Sequence, residues 1–215
     1  KKSLTPEVLR DIDVVEGDTF DKDKLRVALK DVDIAYYLIH SLNKKNYKDL
    51  DKISAQNFID IAEECGVKRV IYLGGLGVKN DLTSEHLLSR IETGEVLSSS
   101  PTVQTIWVRA GVIIGSGSTS FEIIRNLTEK LPIMTTPKWV YTKAQPIAVE
   151  NVLDYLYDSI TLDTKENLIV DIGSEELSYR DMMKKTGKVL GLTRILIPVP
   201  FLTISLSSYW LNLFT

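Results

Sequence analysis

The sequence predicts a doubly wound α/β protein, a parallel sheet with helices on both faces. Three observations predict it. Short continuous apolar runs recur along the first half of the chain, too short for membrane spans and rich in strand formers. Amphipathic stretches of helix length separate them. Crossovers of that length between buried strands force a parallel sheet with right-handed connections.

Taken in order, residues 12–15 are a first apolar burst, followed by Glu16, Gly17 and Asp18, and read as a short strand ending in a polar turn. Residues 21–30 read as a helix with Leu25, Ala28 and Leu29 on one face. Residues 33–39 are an apolar run and read as a strand buried on both faces. Ile53, Phe58, Ile61, Ala62 and Cys65 stand near helical spacing, and Gly66 supplies a stop. Residues 70–73 form the next strand, running directly into Gly74, Gly75, Leu76 and Gly77. Ser84 is placed to cap a helix that reaches about Leu97. A strand over 103–108 and an apolar extension over 112–115 complete the pattern.

Beyond Gly117 the rhythm changes. Helices are expected over 121–131, 149–160 and 179–190, the last ended by Gly191, with a strand over 167–171 and a loop holding Pro137, Trp139 and Pro146. The expected organisation is therefore a doubly wound domain over 1–117 and a smaller α+β region over 118–215 that closes over a ligand. Elements of the second part return to the sheet. The stretch 195–215 carries no charge. Its two prolines, four hydroxyl residues over 203–208 and Asn212 argue for a packed or peripheral segment rather than a span of about 20 apolar residues.

Composition narrows the classes. The 215 residues are 44% hydrophobic and 26% charged, which excludes a disordered or low-complexity chain. A net charge of -3 lacks the basic footprint of a nucleic-acid binder. One cysteine, Cys65, forms no internal disulfide and fits a reducing, cytoplasmic compartment. Two histidines and one cysteine, scattered along the chain, give no metal site.

In an open parallel sheet, ligands bind beyond the carboxyl ends of the strands. That rule selects four loops, beginning at Glu16-Gly17-Asp18-Thr19, His40-Ser41, Gly74-Gly75 and Arg109-Ala110-Gly111. Asp18 is either an acceptor for an adenine amino group or ribose, or a solvated turn residue. Gly74 and Gly75 either let a ligand approach the backbone or make a plain tight turn. His40 either bonds a ribose hydroxyl or caps a helix. His86, in a first helical turn, has its pKa lowered by the dipole, and by itself reads as a surface residue. No G-x-G-x-x-G follows a first strand, and no G-x-S-x-G elbow is present. The phosphate-cradling turn, with the first βαβ portion, is expected to precede Lys1.

Several segments then carry a family resemblance. VEGD at 15–18, DIAYYLIHS at 33–41, RVIYLGGLG at 69–77, SEHLLSRIETGEVL at 84–97, VRAGVIIGSG at 108–117 and QPIAVENV at 145–152 resemble atypical extended short-chain dehydrogenase/reductases. The nearest branch is similar to NmrA-like, complex I accessory-subunit-like and nucleoside-diphosphate-sugar epimerase-like proteins. The resemblance spans nearly the whole chain. It implies a Rossmann fold that binds NAD or NADP. It also implies that Asp18, with its neighbour Thr19, meets the adenine, that Leu38, Ile39 and His40 line the adenosine ribose, and that Ala110, Gly111 and Val112 flank the nicotinamide. Leu73, Gly74 and Gly75 match the strand end that normally delivers a catalytic Ser or Thr. The family's Tyr-x-x-x-Lys falls on His86 and Arg90.

All three usual catalytic groups are therefore replaced. Arg90 keeps a donor for the nicotinamide ribose, but a permanently charged guanidinium is not a lysine. His86 titrates in the right range to move a proton. Two functions stay open: an oxidoreductase or epimerase-like enzyme with His86 in place of Tyr, acting on an unidentified small molecule, and a non-catalytic NAD(P)-binding sensor, regulator or assembly factor. A third class, an accessory module, would dock residues 195–215 on a further domain or a membrane.

Overall fold

The computed structural model describes residues 5, 7–41, 47–80 and 83–199. The chain divides into two units. One runs to Val108 and takes back Ser159–Val170; the other comprises Arg109–Asp158 and the chain from Asp171.

The first unit is built on a parallel sheet in the order β1-β2-β3-β8. Its strands are β1 (Ile34–Tyr37), β2 (Arg69–Gly75), β3 (Gln104–Ala110) and β8 (Leu168–Ile172). β1 and β2 pair in parallel, with Ile34 opposite Arg69 and Tyr37 opposite Tyr72. Val70, Ile71, Ile106 and Val108 are at most 1% exposed, as continuous apolar strands require. Helix α2 (Lys22–Leu29) buries Leu25 and Leu29, and Asp21 caps it by accepting from the Asp23 and Lys24 amides. A short α1 (Val8–Asp11) precedes it.

Helix α3 (Tyr47–Glu64) starts earlier than its apolar periodicity suggested. Lys22–Asp60 at 3.0 Å and Arg26–Glu64 at 2.7 Å join α2 to α3 across their polar faces. Gly66, at φ 76°, takes the left-handed conformation that ends α3. Helix α4 (Glu85–Leu97) is capped by Ser84, whose hydroxyl accepts from the Leu87 amide. An aromatic chain fills the core: Tyr37 meets Phe58 at 4.9 Å and Tyr72 at 6.1 Å, and Tyr72 meets Trp107 at 6.0 Å between ring centroids.

The strand expected over 12–15 is corrected. Residues 13–18 form no ladder, and Ile12, Val14 and Val15 are exposed. β-propensity makes a strand only where a neighbour accepts its backbone groups, and none of the described strands runs beside this one.

The second unit holds the ends of β3 and β8, where Arg109 and Asp171 pair at 2.5 Å. It holds three small pairings: β4 (Ile113–Ile114) with β7 (Ile147–Ala148), β5 (Ile133–Thr136) with β10 (Ile195–Pro198), and β6 (Lys143–Ala144) with β9 (Leu177–Ser178). Helices α5 (Thr119–Lys130), α6 (Val149–Asp158) and α7 (Tyr179–Val189) cover them. Ile124, Leu127, Met134, Met182, Met183 and Leu196 form its core. Ser178 and Asp181 make a capping box at the start of α7, and Gly191 at φ 68° follows its end. The start of the uncharged stretch is thus a paired strand, β10. Its remainder from residue 200 lies outside the described residues, as do residues 1–4.

Candidate functional site

In the first unit the loop at 16–20 is fixed from below. Thr19 is 8% exposed; its hydroxyl accepts from Ser54 at 2.6 Å and its carbonyl from the Asn57 amide group at 3.0 Å. Ser54 also meets the Tyr37 hydroxyl at 2.9 Å. Thr19 is therefore a buried anchor onto α3, while Asp18 beside it stays exposed, its Oδ1 accepting from the Phe20 amide at 2.9 Å. Beyond the carboxyl end of β1, Leu38 and Ile39 are 56% and 46% exposed, an apolar pair left facing outward beside His40.

At the carboxyl end of β2 the positions of absent β-carbons are filled by the protein's own side chains. A Cβ on Gly74 would run into the Trp107 indole nitrogen. One on Gly75 would meet Leu87 Cδ1 at 2.8 Å and Arg90 Cδ at 3.6 Å. These glycines admit the protein's own side chains. Leu73 is half-buried on the same strand.

Helix α4 carries His86 in its exposed first turn and Arg90 one turn on. His86 lies within electrostatic reach of Arg90, His40 and Asp51. Loss of solvent holds the His86 imidazole below the usual histidine range, and repulsion from Arg90 and His40 adds to it; Asp51 opposes them. The expected lowering is present, with desolvation rather than the helix dipole as its first cause.

Two phenols, Tyr37 and Tyr72, are buried in the same unit. Burial pushes Tyr72 and Tyr37 each up to about 12. A general acid or base is most useful near the working pH. Tyr72 instead donates to the Arg90 carbonyl at 3.0 Å, tying β2 to α4.

Sequence reasoning passed over Asp51, Ser89 and Tyr72. Asp51 is 6% exposed within α3, and its carboxylate accepts from the Ser41 amide at 2.7 Å and the Ser89 hydroxyl at 3.1 Å. An acidic residue in a charged helix carries no motif, so only its position between two candidate loops could have drawn notice.

Ala110, Gly111 and Val112 belong to the second unit, where Ala110 is buried and a Cβ on Gly111 would strike the Gln145 carbonyl oxygen. Val112 O accepts from the Ile147 amide at 2.9 Å, which starts the β4–β7 pairing. Among the described residues, no group of three His, Cys, Asp or Glu side chains could hold a metal ion, and no helix is long and apolar enough to cross a membrane.

Residues 2–101 match the NAD(P)H-binding family. That segment contains every first-unit candidate from Asp18 to Arg90. Solved structures share the fold across most of the chain. MoeE5 in complex with UDP-glucuronic acid and NAD is 14% identical, with a TM-score of 0.69 over 86% of this chain and 71% of that one. The UDP-N-acetylglucosamine 4-epimerase of Bacillus cereus is 13% identical, with a TM-score of 0.70 over 90% and 75%. A double mutant of DesIV, the dTDP-glucose 4,6-dehydratase of Streptomyces venezuelae, with NAD and DAU bound, is 14% identical, with a TM-score of 0.66 over 86% and 66%. A search of curated proteins returns no match. The fold is therefore of the Rossmann type, and the first half of the chain is similar to NAD(P)H-binding domains.

Proposed function

We propose that the protein is an NAD(P)-dependent oxidoreductase of the epimerase-like kind whose proton transfer is rebuilt on His86. The observation that carries this is that Arg90, His40 and the buried Asp51 all act on His86, while Asp51 bonds the residues next to His40 and Arg90, beyond the carboxyl ends of the strands. The residues present suit a dinucleotide: exposed Leu38 and Ile39 offer an apolar bed, Asp18 an acceptor, and His40 and Arg90 donors for ribose hydroxyls. A bound nicotinamide supplies or accepts the hydride. Arg90 would hold the ribose of such a cofactor. In carbonyl reduction the His86 imidazolium gives its proton to the carbonyl oxygen as that oxygen becomes an alcohol. In alcohol oxidation the neutral imidazole takes the hydroxyl proton. A nucleoside-diphosphate sugar, the ligand class of the structural neighbours, is a first substrate to try, and a cytoplasmic setting fits the lone Cys65.

The pH dependence follows from the sign of the shift. A depressed His86 pKa means that imidazolium accumulates only below the ordinary value of about 6.5. Carbonyl reduction is expected to quicken as pH falls through that depressed value, and alcohol oxidation to be flat above it. His86→Ala is expected to lower turnover by about 100-fold or more across a carbonyl panel. Unchanged turnover would remove His86 from the mechanism.

A second reading, a cofactor-binding sensor or assembly factor without turnover, is favoured by one observation: Trp107 occupies the space where a catalytic hydroxyl would stand. Wild-type protein that binds dinucleotide yet turns over nothing in that panel would decide for it.

A further inference from the structure

We propose that Asp51 is the positioning residue of this site: one buried carboxylate fastens the loop bearing His40 to the helix bearing His86 and Arg90. The adenosine side and the proton-transfer side of the pocket are then held together. This deepens the cofactor reading above and rests on it.

The geometry is specific. Oδ1 of Asp51 accepts from the amide of Ser41, the residue after His40. Oδ2 accepts from the hydroxyl of Ser89, the residue before Arg90 and one turn beyond His86. Asp51 is 6% exposed and Ser89 2%. Burying a carboxylate is costly unless hydrogen bonds and positive neighbours compensate it. It stands beyond the first turn of α3, where the helix dipole gives it little help. The titratable groups it acts on are His86 on α4, Tyr37 on β1 and Tyr72 on β2, and Arg90 and His40 act on the same His86 imidazole. A purely mechanical link between two serines would need no charge. The carboxylate also acts on the His86 imidazole, raising its pKa against desolvation. The negative charge holds His86 closer to a protonatable state, while the hydrogen bonds fix the loop.

Two variants separate charge from linkage. Asp51→Asn keeps the shape, keeps an oxygen for the Ser41 amide, and lets its NH2 donate to Ser89; only the charge goes. Ser89→Ala keeps the charge and removes one link. The His86 imidazole is titrated by NMR in each folded variant, and NADH and NADPH are titrated into each by fluorescence. Asp51→Asn is expected to lower the His86 pKa by about half a unit or more, as a lost charge at short range in a partly desolvated site does. Ser89→Ala is expected to weaken dinucleotide binding about tenfold while leaving the His86 pKa near its wild-type value, consistent with a lost hydrogen bond to a charged group. An unmoved His86 pKa in Asp51→Asn, or unchanged binding in Ser89→Ala, would overturn the proposal. Wild-type protein that binds neither dinucleotide would sink the cofactor reading instead, and the histidine titration would still decide the Asp51 coupling.

Discussion

Gly74→Ser, which restores a hydroxyl at the end of β2, is expected to destabilise the protein rather than repair its active site. The new Cβ would enter the space of the Trp107 indole, which is 4% exposed and packed on Tyr72. Overpacking of a dense core costs typically 1–3 kcal/mol, and this collision is with a rigid ring, so about 3 kcal/mol is expected. At roughly 2–4 °C per kcal/mol for a chain of this size, the melting temperature falls by about 6–12 °C. The same indole lies against Gly94 of α4, where a Cβ would meet its six-membered ring. In an open helix Gly→Ala would stabilise by about 1 kcal/mol; here the collision reverses the sign. Combining Gly74→Ser with Trp107→Phe should recover part of the loss. A Gly74→Ser variant as stable as wild type would mean that Trp107 does not define this position.

Arg69→Met is expected to have a comparable effect by a different route. The Arg69 guanidinium donates to the carbonyls of Ser159 and Ile160 at 2.8 and 2.7 Å, and of Leu162 and Thr164 at 2.8 and 3.3 Å. Its Nε donates to Gln104 Oε1 at 2.7 Å, and Gln104 in turn donates to the Thr164 and Glu166 carbonyls. One side chain at the start of β2 thus holds the segment that leads into β8. Removing a hub of charge-assisted hydrogen bonds strands several acceptors, and a loss of about 3 kcal/mol is expected, partly relieved by water at the exposed carbonyls. Thermal unfolding would read it as a fall of about 6–12 °C. Proteolysis should find the 159–167 segment first. A shift under about 1 kcal/mol would show the clamp to be redundant.

The sheet and its crossovers were legible because both-face burial writes itself as unbroken apolar runs, as at residues 70–73. Helix ends were legible where a single residue type serves one purpose: Ser84 as a cap, Gly66 and Gly191 as left-handed stops. Residues 12–15 misled because β-propensity is local while pairing is not. The two-residue strands of the second unit are held by neighbours distant in sequence, and no periodicity forms in two residues. Among the candidate residues, His40, His86 and Arg90 stand at positions the sequence itself singles out. The cause of the glycines at 74 and 75 could not be read there, because Trp107 and Leu87 reach them only in the folded chain. Asp51 and Arg69 stayed hidden for the same reason: charged residues in polar stretches read as solvated until burial shows otherwise.

Equilibrium titration of NADH and NADPH into the full-length protein tests the central claim most directly. Saturable binding of at least one of them is predicted, with quenching or transfer from the buried Trp107 as a convenient signal and with weaker binding when Arg90 is replaced by Ala. No saturable binding of either dinucleotide, in protein shown to be folded, would contradict the account.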